Sequence, residues 1–445
     1  MFIVPKNVQN RLAKLPAELR ITRYESHQNC DEIFVEIPKP TVQPCPHCGS
    51  EHTVIKDQGR MRTVRHLSYG GQGLLITFHH RRYVCRDCRR SFQEPVYWIL
   101  DRTRITVSLY LDICRELQTT SSIKDIALRN AVTPAIVNHV LEEIPFGPPS
   151  FLPSTLCIDE FSGSAGYWDK VNYRWVVTDY HCNLADGDNG CVIDVLPSPN
   201  KDFLLEYFYA FNPMERKNVR FFCCDMRSGF LTLAKTVFPG VTICIDPFHV
   251  VKLLSDNVTS IRRALQREYR ISGDDTTYKL LRGSARLLTT SEYNQGVYWS
   301  GKRIEENKER LDSVLALSDE LSDAYQAYQQ MIHIVHMSSY QQQRLFLGDW
   351  LGTFSGSPYE SVKHCANTVR HNKSYILNAF HYGKSNAVCE GLNNKIKILK
   401  KCGYGAHKFE NFRKRILLAC DPYKQVVENY TVFAEKATTE KEAMS

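Results

Sequence analysis

Two C-x-x-C pairs, "CPHCGS" (Cys45, Cys48) and "CRDCRRSF" (Cys85, Cys88), stand 36 residues apart. Each pair offers two thiolates to one tetrahedral ion. Four soft sulfur ligands that leave no open position favour structural zinc over catalytic zinc. The intervening "GRMRTVRHLSYGGQGLLITFHHRRYVC" alternates into strands around a "YGGQG" turn, as a zinc ribbon requires. His47, His66, His79 and His80 are expected on the surface or facing a partner, because the thiolates satisfy the ion. The other cysteines of the 16 fall singly in apolar runs such as "STLCID" and "RFFCCD" and read as reduced, buried side chains.

At 445 residues, the chain exceeds what one compact core accommodates. Its 43% hydrophobic and 23% charged residues describe a globular protein. No apolar run after Met1 resembles a secretion signal, and no 18 apolar residues run together, so no membrane partner and a cytoplasmic location are expected. Lys and Arg exceed Asp and Glu by 56 − 48 = 8. Between Cys45 and Arg104 the count is 11 basic against 5 acidic, a net +6, so most of the surplus lies in the ribbon. This suits a polyanion. Arg81, Arg82, Arg89 and Arg90 are accordingly expected to contact DNA.

Residues 105–147 read as three helices. Ser121 or Ser122 is positioned to cap the second and Thr133 the third, with Pro134 at the first helical position. Two short helices joined by "RNAV" fit a helix-turn-helix or a plain helical linker. "GPPSFLPS" then marks a boundary. From Thr155 the elements alternate: strands "STLCIDE", "YRWVVTDY" and "CVIDVL", helix "DFLLEYFYAF", strand "VRFFCCD", helix "SGFLTLAKTVF", strand "GVTICID", helix "PFHVVKLLSDNVTSIRRAL". That order, β, β, β, α, β, α, β, α, is the order of an RNase H-like core. Asp159 and Asp225 end two of its strands.

In "CEGLNNKIKILKK", at about 100° per residue, Leu392, Ile396 and Leu399 share a stripe suited to pack on the sheet. Glu390, Asn394, Lys397 and Lys401 face the other way. Three carboxylates, Asp159, Asp225 and Glu390, would hold two Mg²⁺ (or Mn²⁺) ions, the kit for in-line phosphoryl displacement, with Lys397 and Lys401 toward DNA. Between Asp225 and Glu390 lie 164 residues that read as mostly helical and carry Trp299 and Trp350, so an all-helical insertion interrupts the core. Its aromatics pack helices or stack on a distorted base.

With these residues in view the chain resembles the ISL-three family of bacterial insertion-sequence transposases. The resemblance runs from about residue 40 to 420, through "CPHCGS…RRYVCRDCRRSF", "IDEFS", "CCDMRSGF…FPGVTICIDPFHVVKLL" and "SNAVCEGLNNKIKILKKCGYGAHKFENFRKRI". It implies a DDE triad at Asp159, Asp225 and Glu390, and supporting roles for Asp246 and His249, although Asp246 reads equally as a helix cap. Asn394 joins the supporting residues.

The expected protein is a multidomain α/β DNA transposase. Its divisions are an N-terminal segment (1–40), a zinc ribbon with one Zn²⁺ (41–104), a helix-turn-helix (105–147), an RNase H-like mixed-sheet core (155–254 and 386–435), a helical insertion (255–385) and a disordered tail (436–445). It would bind terminal inverted repeats in double-stranded DNA, free a 3′-OH by cleavage and join it to target DNA as a homodimer in a synaptic complex. Alternatives are a DNA-binding regulator with an inactive core, and an RNase H-like nuclease or resolvase without strand transfer.

Overall fold

A computed structural model describes residues 15–16, 18–100, 103–163, 167–169, 174–176, 179–291, 303–402 and 408–420. Trp299 and the tail 436–445 lie outside them. The chain forms two compact units, Met1–Gly147 with Asn394–Ser445, and Pro148–Asn393.

The first unit is built on a five-stranded sheet: β1 (Arg20–Ser26), β2 (Cys30–Glu36), β3 (Thr53–Tyr69), β4 (Gln72–Cys85) and β5 (Ser91–Gln93), in the order β1-β2-β4-β3 with β5 also on β4. The long hairpin β3–β4 closes where the sequence places it. Tyr69 pairs with Gln72, and Gly70 and Gly71 take φ of 59° and 81°, the left-handed pair that a two-residue hairpin loop requires. Strand β2 runs parallel to β4, so part of the segment expected to stand apart as 1–40 belongs to the ribbon's own sheet. Ile33, Val64, Ile76 and Phe78 fill its core.

Three helices follow, α1 (Val107–Leu117), α2 (Ile123–Arg129) and α3 (Pro134–Glu143). Ser122 caps α2, accepting from the Asp125 N–H at 3.0 Å. Thr133 precedes α3 without a side-chain cap bond, and Pro134 opens the helix. Leu109, Ile113, Ile126, Val137 and Val140 form their shared core, joined by Leu418 of a helix at Phe409–Cys420.

The second unit holds β6 (Thr155–Ser162), a small hairpin of β7 (Tyr167–Asp169) and β8 (Arg174–Val176), β9 (Tyr180–Asp186), β10 (Val192–Leu196), α4 (Lys201–Tyr209), α5 (Pro213–Asn218), β11 (Phe221–Cys224), α6 (Ser228–Val237), β12 (Thr242–Ile245) and α7 (Pro247–Ser272). Its five-stranded sheet has the order β10-β9-β6-β11-β12, which is 3-2-1-4-5 in chain order. The first three strands pair antiparallel, and β6, β11 and β12 pair parallel. The second strand of this sheet is "YHCNLAD"; of the expected "YRWVVTDY", Arg174–Val176 pairs with β7 instead. Central β6 is covered on both faces: Leu156, Cys157 and Ile158 are fully buried, as continuous apolar strands of mixed sheets are. All 16 cysteines are free thiols, and Cys157, Cys182, Cys223, Cys224 and Cys244 are buried in this sheet.

Helices α8 (Asp275–Gly283), α9 (Ala285–Thr289), α11 (Asp319–His336) and α13 (Glu360–His371) pack on α7, and α10 (Arg303–Leu315) and α12 (Tyr340–Phe354) pack on those helices, around Leu254, Met331, Phe354 and Val369, while α14 (Lys373–Tyr382) lies on β12, with Asn378 Nδ2 donating to the Ile243 carbonyl at 2.9 Å. Trp350 is part of that core, 2% exposed, with its indole N–H donating to the Ala327 carbonyl at 3.0 Å. It is a packing residue, not a stacking platform. Helix α15 (Ala387–Cys402) carries Glu390 in its first turn.

Arg81 does not face a partner. Its side chain is 5% exposed, its Nε donates to Glu94 Oε2 at 2.9 Å, and its Nη2 reaches both Glu94 and the Pro38 carbonyl. A carboxylate 13 residues away neutralises a charge that composition alone assigns to the surface. His66 and His80 are likewise buried, bonded to the Thr106 hydroxyl at 2.8 Å and the Glu94 carbonyl at 2.7 Å. Arg82 is half-exposed and paired with Asp57, while Arg89 and Arg90 are exposed. Truncating one member of a buried ion pair leaves an uncompensated charge, so Arg81→Ala should destabilise the first unit by about 3–5 kcal/mol and Arg82→Ala by less than about 1 kcal/mol. Thermal melting of the two variants beside wild type checks this; equal losses would contradict it.

Candidate metal centres and acidic site

The four cysteines of the ribbon converge. Their sulfurs all lie within 4.8 Å of one another, with Cys45 to Cys88 and Cys48 to Cys85 both at 3.7 Å. Four thiolates at about 2.3 Å from a tetrahedral ion stand about 3.8 Å apart, so this spacing matches zinc ligation. Each knuckle folds through its own backbone: Cys45 N–H donates to the Ser50 carbonyl at 2.9 Å, and Cys85 N–H to the Arg90 carbonyl at 3.0 Å. The residue after each second cysteine takes a left-handed conformation, Gly49 at φ 73° and Arg89 at φ 60°. Glycine adopts it freely, whereas arginine pays about 1–2 kcal/mol. The Cys88 N–H points at the Cys85 sulfur at 3.5 Å and holds that thiol down to about 6, while, against a backbone bond at Ser50, burial and the neighbouring sulfurs push Cys48 up to about 12, so the crowded sulfurs do not all ionise without a cation among them.

In the second unit Asp159 lies within β6, five residues into the strand rather than at its end, and is 9% exposed. Parallel pairing sets Cys223 of β11 against Cys157 of β6. Continuing that register by two residues places Asp225, immediately after β11, beside Asp159 on the same face. Asp225 Oδ1 accepts the Arg227 N–H at 2.9 Å, and the Arg227 guanidinium pairs with Glu160.

Glu390 is brought to this sheet by asparagines. Asn386 donates its side-chain N–H to the Ile158 carbonyl at 3.0 Å, and its backbone N–H to Asp246 Oδ2 at 2.6 Å. Asn393 donates to Asp159 Oδ2 at 2.7 Å and accepts from Asn183 Nδ2 at 2.7 Å. Asn183 is the cross-strand neighbour of Asp159 on β9. Asp246 caps α7, accepting the Phe248 N–H at 2.9 Å. One turn into that helix His249 Nε2 lies 3.7 Å from Glu390 Oε1. The cap reading of Asp246 therefore holds, and the same carboxylate also ties down the start of α15.

Asn394 is not part of this network. It is exposed and accepts from Lys397 at 3.4 Å. The residue that touches Asp159 is its neighbour Asn393, 6% exposed, which sequence reasoning missed together with Asn183 and Asn386. A signal existed: Asn386 and Asn393 fall at helical spacing with Cys389 and Ile396, polar groups on the stripe that must be buried. Leu392, Ile396 and Leu399 are buried as expected, and Lys397 and Lys401 are exposed.

Burial, above all, pushes the Asp159 carboxyl up to about 6; the His249 imidazole opposes the rise and the Asp225 charge adds to it. Oxygen donors whose mutual repulsion a cation would relieve suit a hard divalent ion. The sulfurs form the tighter cluster. Among the described residues, no three of Asp159, Asp225, Asp246, His249 and Glu390 have ligand atoms all within 4.8 Å of one another.

A four-cysteine ribbon and a mixed sheet with one acidic residue on its central strand and another just past the adjacent strand, in one chain, fit a nucleic-acid-processing enzyme, and the family comparisons give its class as transposase. Residues 156–416, more than half the chain, match the family model described as "Transposase" of the DDE type, and residues 41–88 match the "zinc-finger of transposase IS204/IS1001/IS1096/IS1165". The chain is 21% identical over 387 residues to the "Transposase for insertion sequence element IS1001" of Bordetella parapertussis, covering 86% of this chain and 90% of the relative. It belongs to the ISL3 family of insertion-sequence transposases. No helix among the described residues is long and apolar enough to cross a membrane.

Two predictions follow from these centres. Wild type should carry about one zinc per chain, and Cys85→Ser should lose it, with faster hydrogen exchange at the two knuckles; retained zinc would contradict the four-sulfur site. The second concerns Asp159 without metal. Below its ordinary value of 3.8 the carboxyl is protonated both folded and unfolded, so burial costs nothing; the cost grows as pH rises to about 6 and stays constant above. That span corresponds to roughly 3 kcal/mol. Asp159→Asn keeps an oxygen for Asn393, so in metal-free buffer it should raise the melting temperature clearly at pH 7.5 and little at pH 4. A pH-independent gain would contradict the assignment.

Proposed function

We propose that this transposase cuts DNA at the terminal inverted repeats of its element and joins the freed 3′-OH to target DNA, with Asp159, Asp225 and Glu390 holding two divalent cations, Mg²⁺ or Mn²⁺. One observation carries the reading: Asp159 on β6 and Asp225, one residue past the parallel neighbour β11, fall at matched register when the β6–β11 pairing is continued, and the helix bearing Glu390 is bonded to Asp159 itself. The strand order supports an RNase H-like core. The helices α8–α14, which lie in sequence between that sheet and Glu390, support a helical insertion.

When bound, such ions polarise the scissile phosphate and activate the attacking oxygen. The protein's part is placement. Asn393 and the Glu160 N–H, at 2.7 Å and 2.8 Å, fix both oxygens of Asp159. Asp246 and Asn386 fix the position of α15, and His249 steadies Glu390 as a neighbour of the site rather than a ligand. No residue supplies a covalent nucleophile in this scheme; water and then the 3′-OH attack phosphorus.

Recognition of the ends falls to the first unit. The pair α2 and α3 forms the helix-turn-helix, with Asn138 and His139 exposed on α3. Arg89 and Arg90 border the zinc knuckle, and the left-handed Arg89, where the first knuckle has Gly49, is strain of the sort kept at functional positions. Arg82, Lys397 and Lys401 add phosphate contacts. Two ends must be held together for transposition, so a homodimer is the working assembly.

The test is cleavage of a labelled duplex carrying the element's terminal repeat in Mg²⁺. Asp159→Asn, Asp225→Asn and Glu390→Gln should each lower cutting about a thousandfold with DNA binding retained. Asn393→Ala should weaken the half-saturating metal concentration about 10–100-fold, as loss of a ligand-orienting partner does. Unimpaired cutting by Glu390→Gln would overturn the triad.

A further inference from the structure

Helix α7 has two faces with different fates. Val250, Leu254, Val258 and Ile261 are buried among the surrounding helices. Opposite them, at steps of three and four residues, runs a single polar stripe: His249, Lys252, Asp256, Ser260, Arg263, Arg267 and Arg270. It starts against Glu390 and ends in three exposed arginines.

Those arginines line a cleft of about 620 Å³ with Thr259, Gln266 and Tyr278 of α8. The Arg270 guanidinium lies 6.0 Å from the Tyr278 ring centroid. Among the described residues no carboxylate comes within ion-pair distance of any of the three; the ion pair recorded on α8 is Lys279 with Asp275. Asp256 shares the cleft about 10 Å along the helix from Arg263. Exposed arginines on helices commonly find a carboxylate at i±4; here Gln266 lies four residues before Arg270 and Arg267 four after Arg263, while Asp274, four after Arg270 but beyond the end of α7, accepts instead from Thr276 and Thr277 of α8.

We infer that this face of α7 binds the sugar-phosphate backbone of duplex DNA leading away from the reacting phosphate. The inference rests on the reading of the acidic site given above. Arg263 and Arg270 are about 21 and 32 Å along the axis from His249, which corresponds to about six to nine base pairs of rise. The arginines themselves cover about 10 Å of axis, or about three phosphates of one strand. Guanidinium forks match phosphate oxygens, and the planar Tyr278 face backs one of them. The contacts carry no base information, so they serve the element's end or its target alike.

The experiment compares wild type with the triple variant Arg263→Gln, Arg267→Gln, Arg270→Gln in binding a duplex that carries the terminal repeat with 20 base pairs on either side, without Mg²⁺, across salt concentrations. The slope of log affinity against log salt should fall by about 2–3, at about 0.9 per phosphate lost, and the triple lysine variant should keep most of it. Shortening one arm to four base pairs should make wild type and the glutamine variant equal; shortening the other should leave the difference. An unchanged slope on the long duplex, or a difference that survives both shortenings, overturns the inference while leaving the acidic site standing. If the acidic-site variants cut normally but the slope falls, the catalytic reading fails and the backbone track remains. Wild type that binds no DNA at all sinks both.

Discussion

Everything at the acidic site depends on keeping a carboxylate inside a sheet. Asp159 sits on the central strand, directly after three residues with no solvent contact, Leu156, Cys157 and Ile158, and its charge is opposed by burial and by Asp225. Such a group is tolerated only if its oxygens are satisfied, and the partners come from far along the chain: Asn393 is 234 residues away and Asn386 bonds the adjacent Ile158 carbonyl across 228. The hydrogen bonds that make the buried acid affordable are therefore the same ones that deliver Glu390. Placement of the third acidic residue is a consequence of solvating the first.

The same logic explains why α7 and α15 begin where they do. Asp246 accepts the Phe248 N–H, capping one helix, and the Asn386 N–H, anchoring the approach to the other. One buried carboxylate thus fixes two helix starts and sets His249 facing Glu390. The described helices between them pack on α7, on one another or, for α14, on β12, so a long stretch of chain can intervene without moving the site. In the other unit, rigidity has a different source: four sulfurs at tetrahedral spacing close a loop that the surrounding strands only partly enclose.

Much of this was legible in the residues, wherever local chemistry decides the outcome. The paired cysteines, the Gly70–Gly71 turn, the Ser122 cap and the strand ending just before Asp225 each rest on spacing or backbone freedom, whereas β6 runs on past Asp159 to Ser162. What escaped depends on distant partners. Arg81 reads as surface charge until Glu94 is seen beside it. "YRWVVTDY" and "YHCNLAD" are equally strand-like, and only pairing with β6 selects the second. Asn393 and Asn394 differ by one helical step; burial against Asp159 separates them, and an outward-facing wheel does not. Segment 20–36 joins the ribbon sheet through β2–β4 pairing, which no local pattern announces.

The most direct test of the account is anomalous X-ray scattering from crystals of the protein soaked in Mn²⁺. The account predicts manganese bound between Asp159 and Asp225, with Glu390 in its coordination sphere or that of a second ion, and no such density in Asp159→Asn crystals. Manganese absent from these carboxylates at millimolar concentration, or bound elsewhere with the three side chains still engaged with their protein partners, among them Asn393, Arg227 and His249, would contradict it.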